Sequence, residues 1–200
     1  MSVEESASNC EDLIERVCSA CLKGDIEVVL SILKASLRSP SGDMKNIINT
    51  NAANGENPCT SCALSGDIQC LQLVIAAGGD VNFRNTAGDS PLHCAISKGS
   101  MEFVEYVLGL EACNVNCVNS KGCTSLYIAA RDGLDSVVKL LLACAGADVN
   151  RPENMGWTPV AAAAIGGHLA CVEQLVNAHC NVDTLNNNHQ IGRASCRERV

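Results

Sequence analysis

Gly88-Asp89-Ser90-Pro91-Leu92-His93-Cys94-Ala95 is the stretch on which the fold of this 200-residue chain turns. A glycine opens it, a short hydroxyl side chain precedes proline, and a small apolar run follows. Serine before proline reads as a helix start. Its oxygen can accept an orphan backbone N–H, and proline at the first helical position gives up no hydrogen bond. The run closes at Gly99, a residue suited to the left-handed conformation that ends helices. Beyond it, Phe103, Val104, Tyr106, Val107 and Leu108 recur with a period near 3.6, which predicts a second helix with one apolar face.

The stretch recurs along the chain. Gly122-Cys-Thr-Ser-Leu-Tyr-Ile-Ala-Ala130 and Gly156-Trp-Thr-Pro-Val-Ala-Ala-Ala-Ala164 repeat it, and Gly55-Glu-Asn-Pro-Cys-Thr-Ser-Cys-Ala63 is a degenerate upstream copy. The opening glycines Gly55, Gly88, Gly122 and Gly156 recur at a nearly constant interval, and Gly66, Gly99, Gly133 and Gly167 keep the same phase. A third series closes each copy: Asp80-Val81-Asn82, Asn114-Val115-Asn116, Asp148-Val149-Asn150 and Asn181-Val182-Asp183. Three markers in phase over four copies define a repeat of two helices and a turn. One such pair cannot bury its own apolar face, so successive pairs must stack.

In this motif the chain resembles the ankyrin-repeat family. The family's Gly-x-Thr-Pro-Leu-His-x-Ala signature stands here as Gly88 to Ala95, and its Gly-Ala-Asp-Val-Asn tail is complete from Gly146 to Asn150. The resemblance implies an all-α solenoid of stacked helix-turn-helix pairs with hairpin-like finger turns. Four repeats occupy 52–185. Upstream, 1–10 reads as an extension and 11–51 as a helical cap or divergent repeat. Its helix pair is Asp12 to Leu22 and Asp25 to Leu33, with a long connection from Arg38 to Asn51. Residues 186–190 open a fifth finger. The last ten, 191–200, match the translation of a common sequencing-adapter read-through and are expected to be non-native, which would make the natural protein longer than this chain.

Composition narrows the function. Net charge is −8, or −10 without the last ten residues, which argues against a nucleic-acid footprint and against attraction to an anionic membrane. No apolar run reaches the roughly 20 residues of a membrane span, and the polar start from Met1 to Ser8 carries no secretory pattern. A cytoplasmic location is expected, with the nucleus as the second compartment, and there fourteen Cys are thiols. Cys18-Ser-Ala-Cys21 and Cys59-Thr-Ser-Cys62 have the ligand count of a zinc site. The family register, however, puts Cys59 and Cys62 in buried Leu and Ala slots, so packing is the expected role and no metal or other cofactor is expected. Cys123, on a finger, is the candidate exposed, reactive thiol. His93 is expected to be a structural hydrogen-bonding residue, and no hydrolase or nucleotide-loop motif is present, so no catalytic residue is assigned.

The resemblance implies that a partner protein or peptide is held on the concave surface, through variable finger and first-helix positions. By register these include Arg84, Asp89 and Lys98, then Lys121, Cys123, Arg131 and Asp132, then Met155, Trp157 and Ile165. Trp157, the only Trp, falls on a finger position expected to be exposed; it is the expected hot spot, in an apolar patch with Met155 and Ile165. Arg84, Lys121 and Arg131 could form a basic strip for an acidic peptide. Asn150, in a Leu-x5-Asp-Val-Asn context from Leu142, resembles the acceptor of an asparaginyl hydroxylase that acts on ankyrin proteins. The expected function is a monomeric, non-enzymatic interaction scaffold or adaptor. The alternative is the substrate-targeting region of a larger ubiquitin-ligase adaptor or other enzyme whose functional domain lies downstream.

Overall fold

The computed structural model describes residues 3–37, 44–184 and 186–187, with side chains for 11–34, 45–184 and 186–187. The adapter-like segment 191–200, the end of the expected fifth finger and most of the Arg38–Asn51 connection's first half lie outside the described residues. The described chain is all-α and forms two compact units, 1–112 and 113–200.

The first unit contains α1 (Val3–Lys23), α2 (Ile26–Leu37), α3 (Met44–Ile48), α4 (Pro58–Ser65), α5 (Ile68–Ala76), α6 (Pro91–Lys98) and α7 (Met101–Leu108). The second contains α8 (Ser125–Arg131), α9 (Asp135–Ala143), α10 (Pro159–Gly166) and α11 (Leu169–Asn177). Inner helices stack on one another, α1 on α4 and α4 on α6 in the first unit, α8 on α10 in the second, and each is backed by its outer partner. Helix α1 starts well before the expected Asp12, because neither glycine nor proline interrupts residues 3–23. The short α3 occupies part of the connection that the sequence reading leaves irregular.

The turn chemistry places the inner helices. Asn57 accepts from the Thr60 N–H at 3.0 Å while the Thr60 hydroxyl accepts from the Asn57 N–H at 3.0 Å, a reciprocal cap. Thr124 Oγ1 accepts from the Tyr127 N–H at 3.1 Å. Pro58, Pro91 and Pro159 each sit in the first helical turn. Gly133 combines two demands: φ is +71°, and a Cβ there would run into the His168 ring.

Each finger is closed identically. Ala52, Asn85, Asn119 and Glu153 donate their N–H to the carbonyls of Glu56, Asp89, Cys123 and Trp157, at 2.8, 2.9, 3.0 and 3.0 Å. Fingers within a unit also pair: Thr86 N–H donates to Gly55 O, Asn154 N–H to Lys121 O, and Asn187 N–H to Met155 O. The tail asparagines staple neighbouring repeats. Asn116 Nδ2 donates to Gly146 O at 2.7 Å, and its Oδ1 accepts from the Asp148 N–H at 2.9 Å. Asn49 does the same upstream, donating to Gly78 O at 3.0 Å and accepting from the Asp80 N–H at 2.7 Å. Asn49 stands one repeat period before Asn82, so the N-terminal helix pair carries a repeat tail that the sequence reading missed.

Candidate functional site

In the second unit, the finger 119–123 and the finger 153–157 lie ahead of α8 and α10 and carry four of the ten expected contact residues, Lys121, Cys123, Met155 and Trp157. Asn119 Oδ1 accepts from the N–H groups of Lys121 and Cys123, both at 3.0 Å, which leaves the Lys121 side chain exposed at the tip. In the next finger Glu153 takes over that role. Its Oε1 accepts from the Met155 N–H at 2.9 Å and the Trp157 N–H at 3.2 Å. The glutamate thereby sets the backbone of both apolar side chains, and it also sits near Tyr127, whose phenol is pushed up to about 12 by burial and then by the Glu153 carboxylate.

Exposure sorts the expected residues. Met155 is 58% exposed and Ile165 49% exposed, uncommon for large apolar side chains on a finger and a helix end. Trp157 is half-buried at the finger position expected to be exposed. Its indole has partial cover, and its remaining surface lies beside Met155 in sequence. Ile165 stands at the far end of α10, an eight-residue helix roughly 12 Å long, from the finger that carries Met155 and Trp157.

Cys123 is corrected outright. It is 4% exposed, so its side chain offers neither a reactive surface thiol nor a contact to a partner. Arg131 and Asp132 are exposed but engaged with each other: Nε donates to Oδ1 at 2.7 Å and Nη2 to Oδ2 at 2.9 Å. This bidentate pair sets an exposed carboxylate beside the arginine, so Arg131 would enter the expected basic strip with its charge partly offset. In the first unit, Arg84 and Lys98 are exposed and Asp89 is half-buried, its N–H donating to Asn85 Oδ1 at 2.9 Å. Asn150 is exposed, and its Oδ1 accepts from the Asn181 N–H at 2.6 Å, the acceptor half of the staple that Asn116 makes.

The histidines and cysteines have structural surroundings. His93 is wholly buried, and its Nδ1 accepts from the Ser90 N–H at 3.2 Å, with the Ser90 hydroxyl 2.7 Å away. His168 Nε2 lies 3.0 Å from the Arg131 carbonyl, which can only accept, so this nitrogen carries the proton. Cys18, Cys21, Cys59 and Cys62 are all at most 1% exposed between α1 and α4. Burial pushes Cys18 up to about 12 and Cys59 well above the ordinary thiol range. Cys62 is raised by its hydrogen bond with Cys21 and then by burial. Protonated thiols are poor ligands, and among the described residues no three His, Cys, Asp or Glu side chains converge on a metal position. No described helix is long and apolar enough to cross a membrane.

Comparison with known proteins agrees with this architecture. A family model described as ankyrin repeats (three copies) matches residues 17–116, 59–153 and 110–186. Protein phosphatase 1 regulatory subunit 27 from mouse is 29% identical over 90 residues, covering 45% of this chain and 53% of that protein; the human protein is 39% identical over 49 residues, covering 24% and 32%. Target of rapamycin complex 2 subunit AVO2 from Saccharomyces cerevisiae is 30% identical over 89 residues, covering 43% of this chain and 21% of that protein. The chain thus spans about half or less of the length of each of these relatives. The crystal structure of an ankyrin repeat domain from Acinetobacter baumannii superposes with a TM-score of 0.77 at 24% identity, covering 92% of this chain and 90% of that one.

Proposed function

The chain belongs to the ankyrin-repeat family, and from that premise we propose that it is a non-catalytic adaptor holding a partner protein on the finger and inner-helix face of the second unit. Ankyrin repeats make an interaction module; the partner and the residues that hold it are the new part of the reading. The observation that carries it is the exposure of Met155, at 58%, on a finger whose backbone Glu153 fixes. The fixed turn spares the cost of ordering backbone on binding, so only the rotamer freedom of the methionine side chain itself is lost. Trp157 beside it supplies a half-covered aromatic surface, and Lys121 on the neighbouring finger supplies an exposed cation. These three fit a partner segment with an apolar side chain next to a carboxylate. Relatives named as a regulatory subunit and a complex subunit support the adaptor reading.

Quantitative affinity capture from cells, comparing wild type with Met155→Ala/Trp157→Ala, tests it. A specific partner is expected to be recovered by the wild type alone, and its purified form to bind the variant about 2 kcal/mol more weakly with an unchanged melting temperature. Equal recovery by both proteins overturns the site. Asn150 stays in this reading as a modification acceptor. It is exposed, and peptide mass spectrometry of protein isolated from cells is expected to find one added oxygen on that residue; an unmodified peptide under oxygen-replete conditions overturns it.

A further inference from the structure

A second surface, in the first unit, has no part in that reading. Helix α1 and segment 46–53 enclose a cavity of about 500 Å³. Its floor is apolar: Ile14 and Ala52 are buried with Cys18 in one cluster, and Ile47 packs against them half-exposed. A second cavity of about 520 Å³ shares Glu15, Ala52 and Ala53 with the first and continues along α1 to Leu22, 37% exposed. From Glu11 to Leu22 the groove follows twelve residues of helix, roughly 16 Å from first to last, which is the span of about five residues in extended conformation.

The lip has one sign of charge. Glu11 and Glu15 both line it, one helical turn apart on α1, and among the described residues no Lys or Arg lines either cavity. Like charges at this spacing oppose helix formation, so the pair has no local structural benefit. The neighbouring base on α1, Arg16, is directed to Asp12 at 3.9 Å and does not neutralise the lip. An apolar floor under an acidic lip is complementary to one kind of occupant.

We propose that the groove between α1 and segment 46–53 docks a short, extended, basic-apolar segment of a partner protein. Alternate aliphatic side chains enter over Ile14, Ile47 and Ala52, and the intervening Arg or Lys side chains meet Glu11 and Glu15. Extended backbone sends successive side chains to opposite sides, so an alternating pattern satisfies floor and lip together.

The test uses the full chain and three synthetic peptides: Ac-Arg-Leu-Arg-Leu-Arg-NH2, its Glu counterpart in place of Arg, and its Ser counterpart in place of Leu. Binding is read from isoleucine methyl shifts and fluorescence anisotropy. The Arg-Leu peptide is expected to shift Ile14 and Ile47 and to bind at least about tenfold more tightly than either counterpart. Glu11→Gln/Glu15→Gln should weaken it at least about tenfold, while the charge-matched Glu102→Gln/Glu105→Gln on α7 changes it less than about twofold. Equal loss in both double variants would reduce the effect to diffuse charge and overturn the proposal. So would equal binding of the Ser peptide, or no shift at Ile14 and Ile47. The melting temperature of Glu11→Gln/Glu15→Gln should stay level or rise, since a like-charge pair is removed. A fall would show the pair to be structural, and the proposal would fail.

Discussion

Two inner-helix contacts solve one packing problem with different atoms. Where α1 meets α4 the small side chains are Cys18, Cys21, Cys59 and Cys62; where α8 meets α10 they are Ala129, Ala130 and Ala161 to Ala164. The registers coincide: Cys62, Ala95, Ala129 and Ala163 follow one another at the same interval as the opening glycines, and all four are 0% exposed. What the stack demands is a short side chain without a second branch, and a thiol or a methyl satisfies it. The cysteines of α1 and α4 are therefore a statement about helix separation. The difference between the contacts is that thiols titrate and methyls do not.

Raising the pH should separate them most. Cys18, Cys70 and Cys94, all in the first unit, are pushed up to about 12, each chiefly by burial, against Cys113 at about 11 and Tyr127, which starts from a higher ordinary value, in the second. Above pH 9 these thiols ionise in the unfolded chain but stay protonated when folded, so the folded state binds more protons and stability falls as pH rises from about 9 towards 12. Each fully buried thiol contributes a loss of up to about 2 kcal/mol by pH 10.5. The single Trp157 reports on the second unit alone, whereas circular dichroism reports on both. Between pH 8 and 10.5 the urea midpoint should drop further by circular dichroism than by tryptophan fluorescence. Coincident shifts would break the contrast.

Next in size is overpacking. Ala163→Leu adds three carbons where α10 meets α8, and it should cost about 3 kcal/mol in urea unfolding. Cys62→Leu should cost a similar amount, because the same narrow separation receives it. A cost below about 1 kcal/mol at either site would mean that the helices can move apart, and the shared-register account would lose its basis.

Much of this was legible before any coordinates. Glycine and proline advertise turns directly, so Gly88, Pro91 and Gly99 revealed a repeat whose period four copies confirm. Side-chain exposure was less legible because it is decided by neighbours. Cys123 sits at a position the family leaves variable, yet it is covered. Trp157 is half-buried on a finger held by Glu153, a residue with no motif around it. Arg131 and Asp132 are adjacent in sequence, but only their geometry shows that they pair. Asn49 carried a legible signal, its place one repeat period ahead of Asn82, hidden by the irregular connection before it. The groove beside α1 had none, since it joins residues 11–22 to residues 46–54 across that connection.

The asparagine staples extend the comparison to the repeat tails. Asn116 uses both its donor and its acceptor, to Gly146 and from Asp148, while Asn150 accepts from Asn181. Asn116→Ala should cost about 1.5 kcal/mol, and Asn150→Ala less, both read from the urea midpoint of tryptophan fluorescence. Equal costs would mean that the tail hydrogen bonds contribute through turn conformation and not through the staple.

The smallest expected effect is the most discriminating one. Cys62→Ala removes a single sulfur from a wholly buried site and converts the α1–α4 contact towards the α8–α10 type. If the Cys21–Cys62 hydrogen bond is incidental to packing, the loss is the transfer and cavity cost of one small atom, about 1 kcal/mol. Cys21 loses its partner in the same step, and a thiol is so weak a donor that this adds little. Binding at the finger face should be unchanged, since no thiol belongs to it. A cost above about 3 kcal/mol would show that the paired thiols act together, beyond what a methyl group supplies. The cysteine-rich contact would then differ in kind from its alanine counterpart, and the equivalence of the two registers would hold for shape alone.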